Sequence, residues 1–155
     1  MRRIIFLDID GVLNSTKFFV RSKGSSAIDR ECVERLNTLS DLNPEIVISS
    51  SWGDHDGKTS KELKKHGLKI KIIGCTQHFA ADYLCRGNEI EKWIIDNLGG
   101  MGTKFGTEYR NRNYKYVILD DDMDMLLGQG ANFIRVDRDE GLTDEDIEVA
   151  RKILM

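Results

Sequence analysis

The apolar run Ile4-Ile5-Phe6-Leu7 leads without a break into Asp8-Ile9-Asp10-Gly11. A short run with no polar member reads as a strand buried on both faces, as strands of a parallel sheet are. Side chains alternate along a strand, so Asp8 and Asp10 leave the backbone on the same side. Gly11 permits a sharp turn directly after them. Two carboxylates side by side at the end of a buried strand repel each other and lose solvent. A divalent cation offsets both penalties. A lone Asp-x-Asp also ends strands that simply stop at a polar turn, so the rest of the chain decides between the two readings.

The same pattern recurs. Glu45-Ile46-Val47-Ile48 reads as a second buried strand that enters Ser49-Ser50-Ser51-Trp52, and Tyr116-Val117-Ile118-Leu119 enters Asp120-Asp121-Asp122-Met123-Asp124. Residues 68–73 alternate apolar side chains with lysine and read as an edge strand, and residues 132–136 as a fifth strand. Helical periodicity lies between them. Asp29 caps a helix over residues 30–42 that Asn43-Pro44 stops. Ser60 caps a short basic helix that Gly67 ends, residues 88–98 form a third helix, and Thr143 opens the last. Residues 14–26 read as an excursion over the end of the first strand, shaped as a small hairpin, and residues 123–127 as a short helix.

Strands alternating with helices predict an α/β fold, a three-layer Rossmann-like parallel five-stranded sheet, as one domain over residues 1–155. Right-handed crossovers put all strand C-termini on one edge, where ligands of open α/β sheets bind. Asp8 and Asp10, the three serines, and residues 120–124 therefore converge. That convergence favours a site over a polar strand end.

A formal net charge of −3 argues against a strong electrostatic hold on nucleic acid. Cys32, Cys75 and Cys85 are odd in number and lack metal-type spacing, so reduced thiols and a cytoplasmic protein are expected. The apolar start is too short for a signal sequence or a membrane span. His55, His66 and His78 show no ligand spacing and receive no role, although His55 follows the serines closely.

The converging residues suit phosphoryl transfer. Asp8 supplies the nucleophile of an aspartyl-phosphate intermediate, and Asp10 the proton donor for the leaving oxygen. Magnesium, held by Asp8 and an acid of the 120–124 cluster, would screen carboxylate from phosphate. A serine hydroxyl and a guanidinium would bind the phosphoryl oxygens.

The set resembles the haloacid dehalogenase (HAD) superfamily of phosphatases. Its first motif is matched by Asp8-Ile9-Asp10-Gly11 and its second within Ser49-Ser50-Ser51. Arg86 matches the third best, where the superfamily more often has Lys and where Lys104 is a distant competitor. Asp120-Asp121, with Asp124 behind, match the fourth. The wording Phe6-Leu7-Asp8-Ile9-Asp10-Gly11-Val12-Leu13-Asn14, Ile48-Ser49-Ser50-Ser51-Trp52 and Arg86-Gly87-Asn88-Glu89-Ile90 with Trp93 is similar to the small HAD domains of "Swiss army knife" RNA-repair proteins. The resemblance implies a phosphatase acting on nucleic-acid ends, with 3′ or 5′ phosphate, or on nucleotides. It implies Ser50 as the phosphate-binding hydroxyl, with Ser49 and Ser51 as alternatives. It further implies metal ligation by Asp8, the Asp10 carbonyl and Asp121, with Asp120 and Asp124 in support. Asp122 reads as an exposed helix-start residue, and Trp52 as packing.

Neither residues 14–29 nor 53–85 are long enough for a folded cap, so a capless core with an open cleft is expected. An open cleft admits a phosphate on a bulky chain end. Phe18, Phe19 and Arg21 are candidates for base stacking or backbone contact, or simply for loop packing. The basic loop of Lys104, Arg110, Arg112 and Lys115 precedes a strand and belongs at the opposite edge. Two other classes compete. A phospho-receiver domain has its acidic pair early and its phosphorylated Asp at a later strand, an order that fits poorly. A catalytically silent nucleotide- or RNA-binding module on the same fold is separated only by an activity measurement.

Overall fold

The computed structural model describes residues 1–78, 85–99, 102–103, 106–107 and 113–155. Strand β1 (Arg2–Leu7) is followed by α1 (Thr16–Ser22), α2 (Arg30–Asn37), β2 (Glu45–Ile48), α3 (Lys58–Lys65), β3 (Lys71–Cys75) and α4 (Arg86–Leu98). A small antiparallel pair, β4 (Gly102–Thr103) with β5 (Gly106–Thr107), precedes β6 (Tyr114–Asp120), β7 (Phe133–Arg135) and α5 (Asp144–Leu154). The main sheet has five parallel strands in the order β3-β2-β1-β6-β7.

Alternation along the central strands sorts the core into two layers. Ile5, Leu7, Ile46, Ile48, Val117 and Leu119 face Val33 and Leu36 of α2, Leu63 of α3, and Ile147, Ala150 and Leu154 of α5. Ile4, Phe6, Val47, Tyr116 and Ile118 face Ile90 and Ile94 of α4. With both faces covered, β1 has no polar side chain from Ile4 to Leu7, and these four residues are fully buried. The chain goes from β1 to β2 on one side and returns to β6 on the other. Asp8 thus lies where the direction of winding reverses, the place where such sheets open a crevice.

Several local expectations are corrected. Residues 14–26 are not a hairpin. Ser15 caps α1 by accepting from the Phe18 amide, and Lys23 and Gly24 end it with positive φ. α3 starts at Lys58 after Gly57, so Ser60 is not its cap; the Ser60 amide and hydroxyl both donate to Asp54. Residues 123–127 are not a helix, and a 3₁₀ turn spans Leu127–Asn132 instead. The helix after Asp29 tightens to 3₁₀ over Thr38–Leu42. The third strand begins at Lys71 rather than residue 68, and it is an edge strand as expected. Lys104, Arg110 and Arg112 lie outside the described residues, while Lys115 is within β6.

Gly87, in the first turn of α4, is pressed against the loop after β6. A Cβ there would lie 2.5 Å from the Leu126 nitrogen and 2.7 Å from Gln129 Oε1. A Gly87→Ala protein is expected to lose about 1–3 kcal/mol of stability in urea melts. Gly128→Ala, where a Cβ meets nothing within 4 Å, is expected to change little.

Candidate active site

Asp8 and Ser49 sit on backbone that the sheet holds rigid. The Asp8 amide donates to the Leu119 carbonyl and the Ser49 amide to the Leu7 carbonyl, extending the ladder one residue past the strands. Oxygens of Asp8, Asp120 and Asp121 all lie within 4.8 Å of one another. Asp8, Asp120 and Asp121 are all buried. Gly11 makes the approach possible: its φ is +79°, and a Cβ there would fall 2.3 Å from Asp121 Oδ2.

Burial raises the Asp8 carboxyl to about 6, opposed by the Ser50 hydroxyl that bonds it and by the Arg86 charge. Asp120 is raised to about 7, first by burial and then by the Asp8 charge beside it. Asp120 Oδ1 accepts from the Asp122 amide, but the buried Oδ2 accepts no hydrogen bond among the described residues. Three carboxylates, one with an orphaned buried oxygen, form an oxygen-only donor set that fits a hard divalent cation.

Arg86 comes from the start of α4. Its Nε stands 3.8 Å from Asp120 Oδ2 and its Nη1 3.7 Å from Glu89 Oε2. The helix is held there by Asp124, whose Oδ2 accepts from the Arg86 amide at 2.8 Å and whose carbonyl accepts from the Gly87 amide. Asp124 is exposed and outside the carboxylate cluster, so what it positions in this structure is the helix that carries Arg86. Ser50 is buried and bonded to Asp8, Ser49 is buried as well, and Ser51 is exposed. Asp122 is exposed but starts no helix.

Asp10 stands apart from the three-carboxylate group and is gripped by two N–H donors. Asn14 Nδ2 reaches Oδ1 at 3.0 Å, and the Trp52 indole reaches Oδ2 at 2.9 Å. Asn14 also accepts from the Gly11 amide and donates to the Ala27 carbonyl, so it braces the turn after β1. Trp52 packs partly against the core, as expected, and it is also the donor to Asp10. Sequence reasoning did not find this second role, nor Arg138, whose Nε donates to Asp121 Oδ2 at 2.5 Å. Arg138 follows a strand C-terminus, and that position was the available signal. His78, which has no ligand spacing, bonds the Ser50 carbonyl at 2.9 Å and buried Glu89 at 3.2 Å. Arg21 turns to Asp29 and Glu31 and lies over the Phe18 ring.

A family model described as the HAD domain in Swiss Army Knife RNA repair proteins matches residues 4–147. The fold and site thus define a capless α/β domain of the HAD superfamily. The chain belongs to the family of HAD domains in Swiss Army Knife RNA repair proteins. No curated protein and no solved structure matches it.

Because Asp8 and Asp120 are raised above the ordinary 3.8, the folded chain holds protons that the unfolded chain has released. Their contribution to stability is therefore full below about pH 4 and is lost as pH rises through 6 and 7. In EDTA, Asp120→Asn is expected to stabilise the protein at pH 8 by about 1–3 kcal/mol, with the gain shrinking toward pH 4. Denaturant melts across that range measure it.

Proposed function

We propose that this chain is a magnesium-dependent phosphomonoesterase that works through an aspartyl phosphate. The observation that carries the reading is the meeting of Asp8, Asp120 and Asp121 with Ser50 and Arg86 at one edge of the sheet. Asp8 attacks phosphorus, with Ser50 and Arg86 holding the phosphoryl oxygens. Asp10 gives its proton to the leaving oxygen and later takes one from the water that attacks the acyl phosphate. Asp8, the Asp10 carbonyl and Asp121 are the proposed magnesium ligands, with Asp120 beside them. When bound, the cation supplies the positive charge that lets an ionised Asp8 and a phosphate dianion approach.

The proposed substrates are phosphorylated nucleic-acid ends or nucleotides. Two things support this: the RNA-repair proteins after which the family is described, and the lack of a cap over the site. The three cysteines are free, which accords with a reducing, cytosolic setting. No described helix is long and apolar enough to cross a membrane.

Released phosphate should be measured with magnesium on nucleoside monophosphates and on 3′- and 5′-phosphorylated RNA and DNA oligomers. Activity is expected on at least one of these. Asp8→Asn is expected to lower it by at least about 10³-fold, given what a nucleophile contributes, and to leave the melting temperature in EDTA no lower. A folded wild-type protein inert toward the whole panel, or an active Asp8→Asn, would end the proposal.

A further inference from the structure

A cavity of about 480 Å³ opens beside Asp10 and is lined in part by Gly11 and Arg138, both neighbours of Asp121. Its walls include Asp10, Asn14, Phe19, Ala27, Trp52 and Arg138. The lining is mostly apolar. Phe19 is 64% exposed, an uncommon state for an aromatic ring, and it is carried on a helix fixed at both ends. At one end, Ser15 caps α1, and the Thr16 and Lys17 amides donate to the Arg138 and Asp139 carbonyls. At the other, the chain folds back at Gly24 beneath the Phe19 ring. The ring is therefore held out by the fold.

Trp52 joins the cavity to the chemistry. Its indole nitrogen holds Asp10 Oδ2, and its ring is cavity wall. A group resting on that ring is necessarily next to the carboxyl proposed to protonate the leaving oxygen. Attack by Asp8 expels the leaving oxygen on the far side of phosphorus, toward Asp10. Whatever that oxygen is bonded to enters this cavity.

On these grounds, and resting on the phosphomonoesterase reading above, we infer that the cavity is a leaving-group site for one nucleoside, which it holds through the faces of its base on Phe19 and Trp52. The volume is within the range of roughly 300–1,000 Å³ usual for small-molecule sites and suits one nucleoside rather than several. Most of the polar groups deep in the wall are already engaged. Asn14 bonds Asp10, Gly11 and Ala27; Ser26 bonds Ile28 and His66; Ser15 bonds Phe18. Little is left to read a base edge, so recognition rests on stacking, which tolerates any base. Arg138, bonded to Asp121 through Nε alone and 69% exposed, stands at the rim where a neighbouring phosphate of a longer chain would pass.

The test is binding that needs no catalysis. Adenosine, uridine and ribose are titrated into the full chain with magnesium and followed by calorimetry. Adenosine and uridine are expected to bind within about tenfold of each other, and ribose at least about tenfold more weakly than either. Phe19→Ala is expected to weaken both nucleosides by about tenfold, the worth of one stacking face. Ala27→Phe, which fills the cavity from an exposed loop position, is expected to do the same, so the result does not hang on one variant's folding. Ribose binding equal to that of the nucleosides, or no nucleoside binding at all, overturns the inference, and so does unchanged affinity in both variants. A chain that binds nucleosides but hydrolyses no phosphomonoester would sink the catalytic reading alone.

Discussion

Three buried carboxylates share one small space at the end of the sheet, and most of what surrounds them is a response to that. Charges so close and so dry are costly, and the raised Asp8 and Asp120 register the cost. The fold imposes the arrangement nonetheless. Asp8 ends the central strand, Asp120 ends its neighbour, and parallel pairing of Leu7 with Leu119 leaves the two acids level. Gly11 then lets Asp121 close the group from the loop side. Relief comes from Arg86, Ser50 and Arg138, and the oxygen-only donor set leaves room in the chemistry for a cation.

The helices do more than cover the sheet. α4 buries Ile90 and Ile94 against one face, and its first turn delivers Arg86 to the carboxylates. That turn is fixed by contacts from the loop after β6: Asp124 at the amides and Gln129 at the Gly87 carbonyl. The acidic stretch 120–124 is therefore divided in labour. Its first two members face the cluster, and its last organises the basic group opposite.

Asp10 belongs to a second environment. It lies outside the three-carboxylate group, held between an asparagine four residues on and a tryptophan from the loop after β2. Asp8 and Asp10, two residues apart, thus meet different surroundings, the arrangement by which similar side chains take different chemical parts. The apolar cavity joins this second environment through Trp52 and Phe19.

The alternation of buried runs with amphipathic segments was enough to read a parallel α/β sheet and its edge strand. Apolar runs of strand length, each stopped by polar residues, have few other ways to be buried. The motif residues were legible for the same reason, since parallel topology gathers strand C-termini wherever the helices lie. The short elements were less legible: α1 hangs on one serine cap in a polar stretch, and the Leu127–Asn132 turn has no apolar stripe. Trp52 and His78 were beyond reach as partners, because their contacts join segments with no periodicity or spacing in common, and Arg138 was marked only by its place after a strand C-terminus. Sequence alone determined which polar residues follow the three central strands, because burial dictates that order. Only the tertiary structure decided which of the acids share a pocket and which donors hold them, because that depends on strand register and loop packing.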